Sequence, residues 1–155
     1  MNELKNKLLL IIFDELKCHP DDKDSFDIFE EEIEKIAAEY GYSELILASL
    51  EILKNQSQSK CWYLAACVIS WFVEDKVSLP CKWVYLVAVL YVCLERVPVL
   101  DVSGPADGEN LVWSIASTVA GVGYMSDWEP LKDKEVVKRM KLIKEEQVNS
   151  NNKIL

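Results

Sequence analysis

The sequence predicts an all-α protein: a single-domain bundle of about seven mostly antiparallel helices around a hydrophobic central helix pair, or an irregular α-solenoid. The 155 residues include only five glycines and five prolines, too few for a turn-rich all-β fold. Half of the residues are apolar, well above the content of disordered chains. Apolar residues also recur at three- and four-residue steps, the period of a helix that is buried on one face. We expect one helical domain over residues 1–148 and a flexible tail over residues 149–155.

The first three predicted helices follow one another closely. The first covers residues 2–17 and ends before Pro20, whose ring prevents continuation. The second covers residues 24–40 and the third residues 43–54, with Gly41 as the left-handed stop between them. The second helix has one apolar stripe, formed by Phe26, Phe29, Ile33, Ile36, Ala37 and Tyr40. The third is expected to bury Leu45, Ile46, Ser49, Leu50 and Leu53.

Two segments in the middle of the chain are apolar on nearly all sides. They follow a polar connector at residues 55–59 and cover residues 60–74 and 80–96, with Pro80 in the first turn of the later one. A helix without a polar face belongs in the middle of a bundle, so these two form the predicted central pair. Their Val, Ile and aromatic content also fits two buried strands, but their length and several alanines favour helices.

The C-terminal third is predicted to contain one long loop and two further helices. The loop covers residues 98–109, the sixth helix residues 109–120, and a final amphipathic helix residues 132–147. The final helix is expected to bury Val136, Val137, Met140 and Ile143.

The cysteines indicate neither a disulfide framework nor a zinc site, because they are odd in number and form no C-x-x-C pair. We expect small buried hydrophobes in a reducing compartment at Cys18, Cys61, Cys67, Cys81 and Cys93. The apolar runs at residues 62–73 and 83–94 are shorter than the roughly 20 residues that a bilayer requires. The N-terminal apolar run lacks a small-residue cleavage site. The protein is therefore expected to be cytoplasmic, with no membrane partner.

The sequence contains no catalytic or cofactor-binding signature. G-x-S-x-G, P-loop and H-E-x-x-H motifs are absent. His19, the only histidine, lies beside Cys18 at a helix end, and adjacency in sequence does not create a nucleophilic pair. The acidic stretches at residues 21–24 and 101–109 do not have the spacing of a calcium loop. We expect no enzyme, no cofactor and no metal site, with an enzyme of an unrecognised type as a remaining alternative.

A band of negative charge dominates the chain. Residues 14–39 carry eleven carboxylates and three lysines, a net charge of −8, while the whole chain carries −9. Acids near the start of the second helix can cap its amides and offset its dipole. Glu30 and Glu34, however, form a like-charge pair at i,i+4 spacing, which destabilises a helix. Such a row indicates a cationic partner, with a solvated helix face as the alternative reading.

The predicted partner-binding residues follow from this band and from the aromatic residues near it, since affinity requires an anchor among the charges. They are Asp21, Asp22, Asp24, Asp27, Glu30, Glu31, Glu34, Tyr40 and Tyr42, with Phe26 as a further candidate anchor. Second-tier contacts are Asp101, Asp107 and Glu109 on the long loop, because loops commonly carry function, and Trp128 in a later connector.

The final helix has the opposite charge, with a lysine and arginine excess at residues 132–144. Nucleic-acid binding is not expected, because the net charge of −9 opposes phosphate and the segment lacks interleaved aromatic residues. The favoured interpretation is a solvated face that can pair with the acidic helix.

In its small size, acidity and helical character, the chain resembles the bacterial immunity proteins of contact-dependent growth inhibition systems and colicin-type nucleases. The resemblance is carried by the acidic helix at residues 24–39 and the apolar segments at residues 62–73 and 83–94. It implies a monomer that binds a cationic nuclease toxin in a tight 1:1 complex, often covering the toxin's active site. The alternative is a structural or adaptor subunit of a homo-oligomer or larger assembly.

Overall fold

The computed structural model describes residues 2–17, 23–72, 83–96 and 132–154. Within these ranges the chain forms six α-helices, one 3-10 helix and no β-strand, which confirms the all-α prediction there. The α-helices are α1 (Asn2–Leu16), α2 (Lys23–Tyr40), α3 (Tyr42–Lys54), α4 (Trp62–Phe72), α5 (Trp83–Arg96) and α6 (Lys134–Ile154). The two apolar middle segments are therefore helices rather than strands. The predicted long loop and the predicted helix at residues 109–120 lie outside the described residues.

Gly41 separates α2 from α3, as the sequence predicts. Its backbone has φ +96° and ψ 149°, a conformation that residues with a side chain rarely adopt. The Gly41 amide donates to the Ala37 carbonyl at 2.8 Å and closes the last turn of α2. The Gly41 carbonyl accepts from the Leu45 amide at 3.1 Å and opens α3. A single residue thus ends one helix and begins the next, and α3 starts one residue earlier than predicted.

The central element of the described structure is α3, which packs against α1, α2, α4 and α5. All of its residues predicted to face inward are buried. Ala48 and Ile52 are buried as well, so α3 has apolar contacts around most of its circumference. The apolar helices α4 and α5 are also largely buried, as expected. They are held on α3, which takes the central position predicted for the α4–α5 pair.

The connector between α3 and α4 forms a 3-10 helix (Gln56–Cys61), which the sequence pattern did not predict. The Asn55 side chain starts it by accepting hydrogen bonds from the Ser57 amide at 3.0 Å and the Ser57 hydroxyl at 2.7 Å. Trp62 follows as the first residue of α4 and is fully buried. Its indole N–H donates to the carbonyls of Ile52 at 3.0 Å and Asn55 at 3.2 Å. This side chain therefore ties the end of α3 to the start of α4.

The last helix, α6, packs against α5 through Val136, Met140 and Ile143, which are buried as predicted. Val137 is 51% exposed, so its predicted inward position is wrong. The three buried residues follow an i, i+4, i+7 pattern on one face, and Val137 lies about 100° away from Val136 around the helix axis. The helix continues to Ile154 instead of ending at the predicted residue 147, because no glycine or proline occurs at residues 148–154.

Three of the cysteines, Cys61, Cys67 and Cys93, are buried and form no disulfide, which confirms their predicted burial. Burial raises the pKa of the Cys93 thiol to about 12, and the nearby Arg96 charge offsets only part of this rise. Cys18 and Cys81 lie outside the described residues.

Candidate functional site

Four of the predicted acids line one surface groove. Asp27, Glu30, Glu31 and Glu34, which we call the acidic row, follow an i, i+3, i+4, i+7 pattern and so share one face of α2. All four side chains are exposed. The groove has a volume of about 730 Å³ and is bounded by α2 and the C-terminal end of α4. We call it the acidic groove; it is lined by the acidic row with Lys35, Trp71 and Phe72.

The opposite face of α2 explains why the acidic row points to solvent. Phe29, Ile33, Ile36 and Ala37 are buried in the core shared by all six helices. Rotating α2 to shield the acids would expose these side chains and bury carboxylates, which is costly without paired cations. The hydrophobic stripe thus sets the orientation of the charged face.

The position of the acidic row within α2 argues against a capping role. The helix begins at Lys23, so Asp27 is its fifth residue and the other three acids lie further along. Favourable interaction of carboxylates with the helix dipole is limited to about the first turn. The dipole therefore does not account for Glu30, Glu31 or Glu34.

The apolar part of the groove comes from α4. Trp71 is half-buried, and its ring meets the Phe29 ring edge-on, with centroids 5.8 Å apart and planes at 63°. Phe72 is buried and packs against Tyr42, with centroids 4.9 Å apart. Contacts with the core thus position both aromatic residues beside the carboxylates.

Ion pairs among the described residues leave most of the negative charge of the acidic row uncompensated. Among the described residues, Asp27, Glu30 and Glu31 form no ion pair within 4.0 Å. Lys35 pairs with Glu32 at 3.0 Å, and Glu32 does not line the groove. The hydrogen bond that Lys35 donates to Glu32, together with the negative charge of Glu32, raises the pKa of the Lys35 ammonium, with a smaller contribution from the charge of Glu31. Lys35 therefore stays protonated at neutral pH but offsets only part of the charge of the row.

The basic helix α6 forms ion pairs with other parts of the protein. Lys144 of α6 pairs with Glu95 of α5, and Glu146 of α6 pairs with Lys54 of α3 at 3.8 Å. Lys54 also lies 5.5 Å above the Tyr85 ring, whose hydroxyl donates to Glu51 at 2.9 Å. The two ion pairs connect α6 with α5 and with α3. The expected pairing of α6 with the acidic helix is not seen for Asp27, Glu30 or Glu31, which form no ion pair with the described residues of α6.

Neither of the two tyrosines predicted to bind the partner lines the groove. The Tyr40 hydroxyl donates to Glu3 at 3.1 Å, and Lys7 lies 5.0 Å from the centre of the Tyr40 ring, so this side chain interacts with α1. Tyr42 packs against the groove residue Phe72. The aromatic side chains that line the groove are instead Trp71 and Phe72.

Several other predicted contacts cannot be placed. Asp24 and Phe26 belong to α2, but their side chains are outside the described residues. The other predicted contacts outside the described ranges are Asp21, Asp22, Asp101, Asp107, Glu109 and Trp128.

Three residues at the groove or beside it were not predicted as binding residues. The sequence pattern places Trp71 and Phe72 in an apolar segment, but the acids Glu74 and Asp75, which follow one residue later, indicate that this segment approaches the surface. Ile28 is 58% exposed on α2. Ile28 falls outside the apolar stripe of α2. An apolar residue in that position is the feature of the sequence that could have identified it as a binding residue.

No protein-family model, curated protein or solved structure matches this chain. In the described ranges, we find no helix with the length and hydrophobicity of a transmembrane span. In the same ranges, no three His, Cys, Asp or Glu side chains converge as they would around a metal ion.

Proposed function

We propose that this chain is an acidic, non-enzymatic binding protein that neutralises a cationic protein toxin in the cytoplasm. The partner is a nuclease domain, bound in a 1:1 complex that covers its active site. One observation carries the proposal: the acidic groove presents four exposed carboxylates next to aromatic side chains.

A nuclease is a suitable partner because it needs a positively charged cleft to bind phosphates. A carboxylate row on a helix packed against the core can occupy the same cleft and exclude the nucleic acid. Attraction between opposite charges also accelerates association, in favourable cases to about 10⁸–10⁹ M⁻¹s⁻¹ at low salt. Fast capture is useful when the toxin must be bound before it cuts.

Charge alone does not give a tight complex, since most binding energy in protein interfaces comes from a few buried aromatic, arginine or aliphatic anchors. The acidic groove contains such a candidate in Trp71, which is half-buried in the free protein. Ile28 supplies an exposed apolar side chain on the same helix as the acidic row. The surface therefore combines charges for fast association with apolar groups for slow dissociation.

The test begins with the reading frame immediately upstream of this chain, which we expect to encode a secreted protein with a basic C-terminal domain; that domain is the partner used. We expect this chain to restore growth of cells that express the domain, to block nucleic-acid cleavage in vitro, and to form a 1:1 complex in sedimentation. Glu30→Gln, Glu31→Gln and Glu34→Gln together should weaken binding about tenfold or more and flatten its salt dependence. The circular dichroism spectrum should be unchanged.

A matched control removes the same number of charges elsewhere. Glu44, Glu135 and Glu145 are exposed acids that do not line the groove, and their combined change to glutamine should leave the affinity nearly unchanged. If titration calorimetry finds the same affinity for the groove variant as for the unaltered chain, the acidic groove is not the binding site.

A structural or adaptor subunit of a homo-oligomer is the second candidate. It is favoured by exposed apolar side chains on α1, where Leu10 is 65% exposed and Phe13 and Leu16 are also exposed. Sedimentation of the isolated chain separates the two proposals. A stable dimer or larger species supports the assembly role, and a monomer supports the inhibitor.

A further inference from the structure

The acidic groove offers two kinds of contact to the same bound group. Carboxylates of α2 and aromatic side chains of α4 line one space of about 730 Å³. This volume lies within the range of about 300–1,000 Å³ that is typical of small-ligand pockets. The groove is therefore large enough to hold a long side chain of a partner protein together with the polar group at the end of that side chain.

These two contacts favour guanidinium over ammonium. The guanidinium group of arginine is planar and weakly hydrated, binds carboxylates through two parallel hydrogen bonds, and stacks on aromatic rings. The ammonium group of lysine is compact and strongly hydrated, and it lacks the planar fork. Among aromatic side chains, tryptophan binds cations most strongly. A groove that combines Trp71 with Glu30 and Glu31 suits arginine on both counts.

The cation already present at the groove leaves Glu30 and Glu31 available. Lys35 is held by Glu32 at 3.0 Å, so its ammonium group is directed to an acid outside the groove lining. Glu30 and Glu31 form no ion pair within 4.0 Å among the described residues, and they are exposed. Within the described part of the chain, an incoming guanidinium group therefore has no ion pair to break before it reaches either carboxylate.

We infer that the acidic groove binds an arginine side chain of the cationic partner, with the guanidinium group on the acidic row and against Trp71. The inference rests on the proposed function and specifies the chemistry of recognition at the same site.

The test compares two blocked peptides of equal formal charge, hexa-arginine and hexa-lysine, with the full chain. Calorimetry should show that hexa-arginine binds about two- to fivefold more tightly, the factor expected for a cation–π contact at an exposed site. In NMR spectra, the indole N–H resonance of Trp71 should shift more with hexa-arginine. Its assignment follows from its loss in the Trp71→Leu variant.

Two variants and one control isolate the aromatic contact. Trp71→Leu should reduce the preference for hexa-arginine to the part that comes from its two parallel hydrogen bonds to carboxylates, while binding through charge persists. Trp71→Phe keeps an aromatic ring and should retain part of the preference, which provides a second measurement if the leucine variant does not fold. Tyr63→Leu removes another half-buried aromatic residue of α4 that does not line the groove, and it should keep the full preference.

The outcomes distinguish this inference from the proposed function. Equal affinity for both peptides, or a preference that Trp71→Leu leaves unchanged, overturns the arginine inference. In that case, lower affinity for both peptides after Glu30→Gln and Glu31→Gln leaves the acidic binding function standing. If this double substitution changes neither affinity, the proposed function and the inference both fail.

Discussion

The acidic row should make the free protein less stable than a neutral row would. Asp27 lies three and four residues before Glu30 and Glu31, and these lie four and three residues before Glu34. Side chains at these spacings are neighbours on a helix surface, and each like-charge pair costs roughly 0.2–0.5 kcal/mol. We therefore expect Glu30→Gln and Glu31→Gln together to raise the free energy of unfolding, although they remove charges that we propose bind a partner.

The magnitude follows from the helix geometry. The double substitution removes four like-charge pairs, whose summed cost is roughly 1–2 kcal/mol. It also removes the attraction between Glu31 and Lys35 that contributes to the raised pKa of Lys35, and solvent screens every one of these exposed charges. We expect a net stabilisation of roughly 0.5–1 kcal/mol at low ionic strength, or about 1–4 °C in Tm for a chain of this size.

Urea unfolding followed by circular dichroism at two ionic strengths provides the assay. The gain should be present at about 0.01 M salt, where the Debye length is about 30 Å, and should nearly vanish at about 1 M, where it is about 3 Å. The control is Glu135→Gln with Glu145→Gln, which changes the net charge equally. Glu135 lies four residues before Arg139, and Glu145 four residues after Lys141, so this control removes attractive pairs and should not stabilise.

Three results would refute this reasoning. The groove substitutions could destabilise the protein, which would mean that the carboxylates have favourable contacts in the folded chain. The gain could be the same at both salt concentrations, in which case it would not be electrostatic. The control could give the same gain, which would attribute the effect to net charge rather than to the row.

Two further predictions concern the core. Trp62→Phe removes the indole N–H that donates to the Ile52 and Asn55 carbonyls, and it leaves a small cavity. The lost donor and the cavity cost about 1 kcal/mol each, so urea unfolding should show that the free energy of unfolding falls by about 2 kcal/mol. A decrease below about 0.5 kcal/mol would contradict the role that we assign to Trp62. Burial raises the pKa of Cys93 from 9.0 to about 12, so above pH 9 the unfolded chain releases this proton before the folded chain does, and stability falls with rising pH up to about pH 12. Cys93→Val should lessen this decline in the free energy of unfolding by about 1.4 kcal/mol per pH unit. If urea unfolding at several pH values gives the same decline for the variant and the unaltered chain, the Cys93 thiol does not contribute to it.

Much of the secondary structure could be predicted because the relevant information is local. The buried faces of α2 and α3 follow from three- and four-residue spacing, and Gly41 marks their junction because the backbone there needs a positive φ. The acidic row could be predicted for the same reason, since residues at i, i+3, i+4 and i+7 share a helix face. Local spacing was insufficient for Val137, which is adjacent in sequence to a buried residue but lies on the exposed side of α6.

Apart from the 3-10 helix and the end of α6, the sequence by itself determined where the described helices lie, which face of α2 is apolar and which face is acidic, because these properties depend on neighbours within a few residues. Only the tertiary structure decided that α3 is central, that the ion pairs of Lys144 and Glu146 involve α5 and α3, and that Trp71 lies at the acidic groove. Helical periodicity fixes the direction of a side chain around the axis of its own helix. The other helix that this side chain contacts is selected by burial of apolar surface over the whole chain.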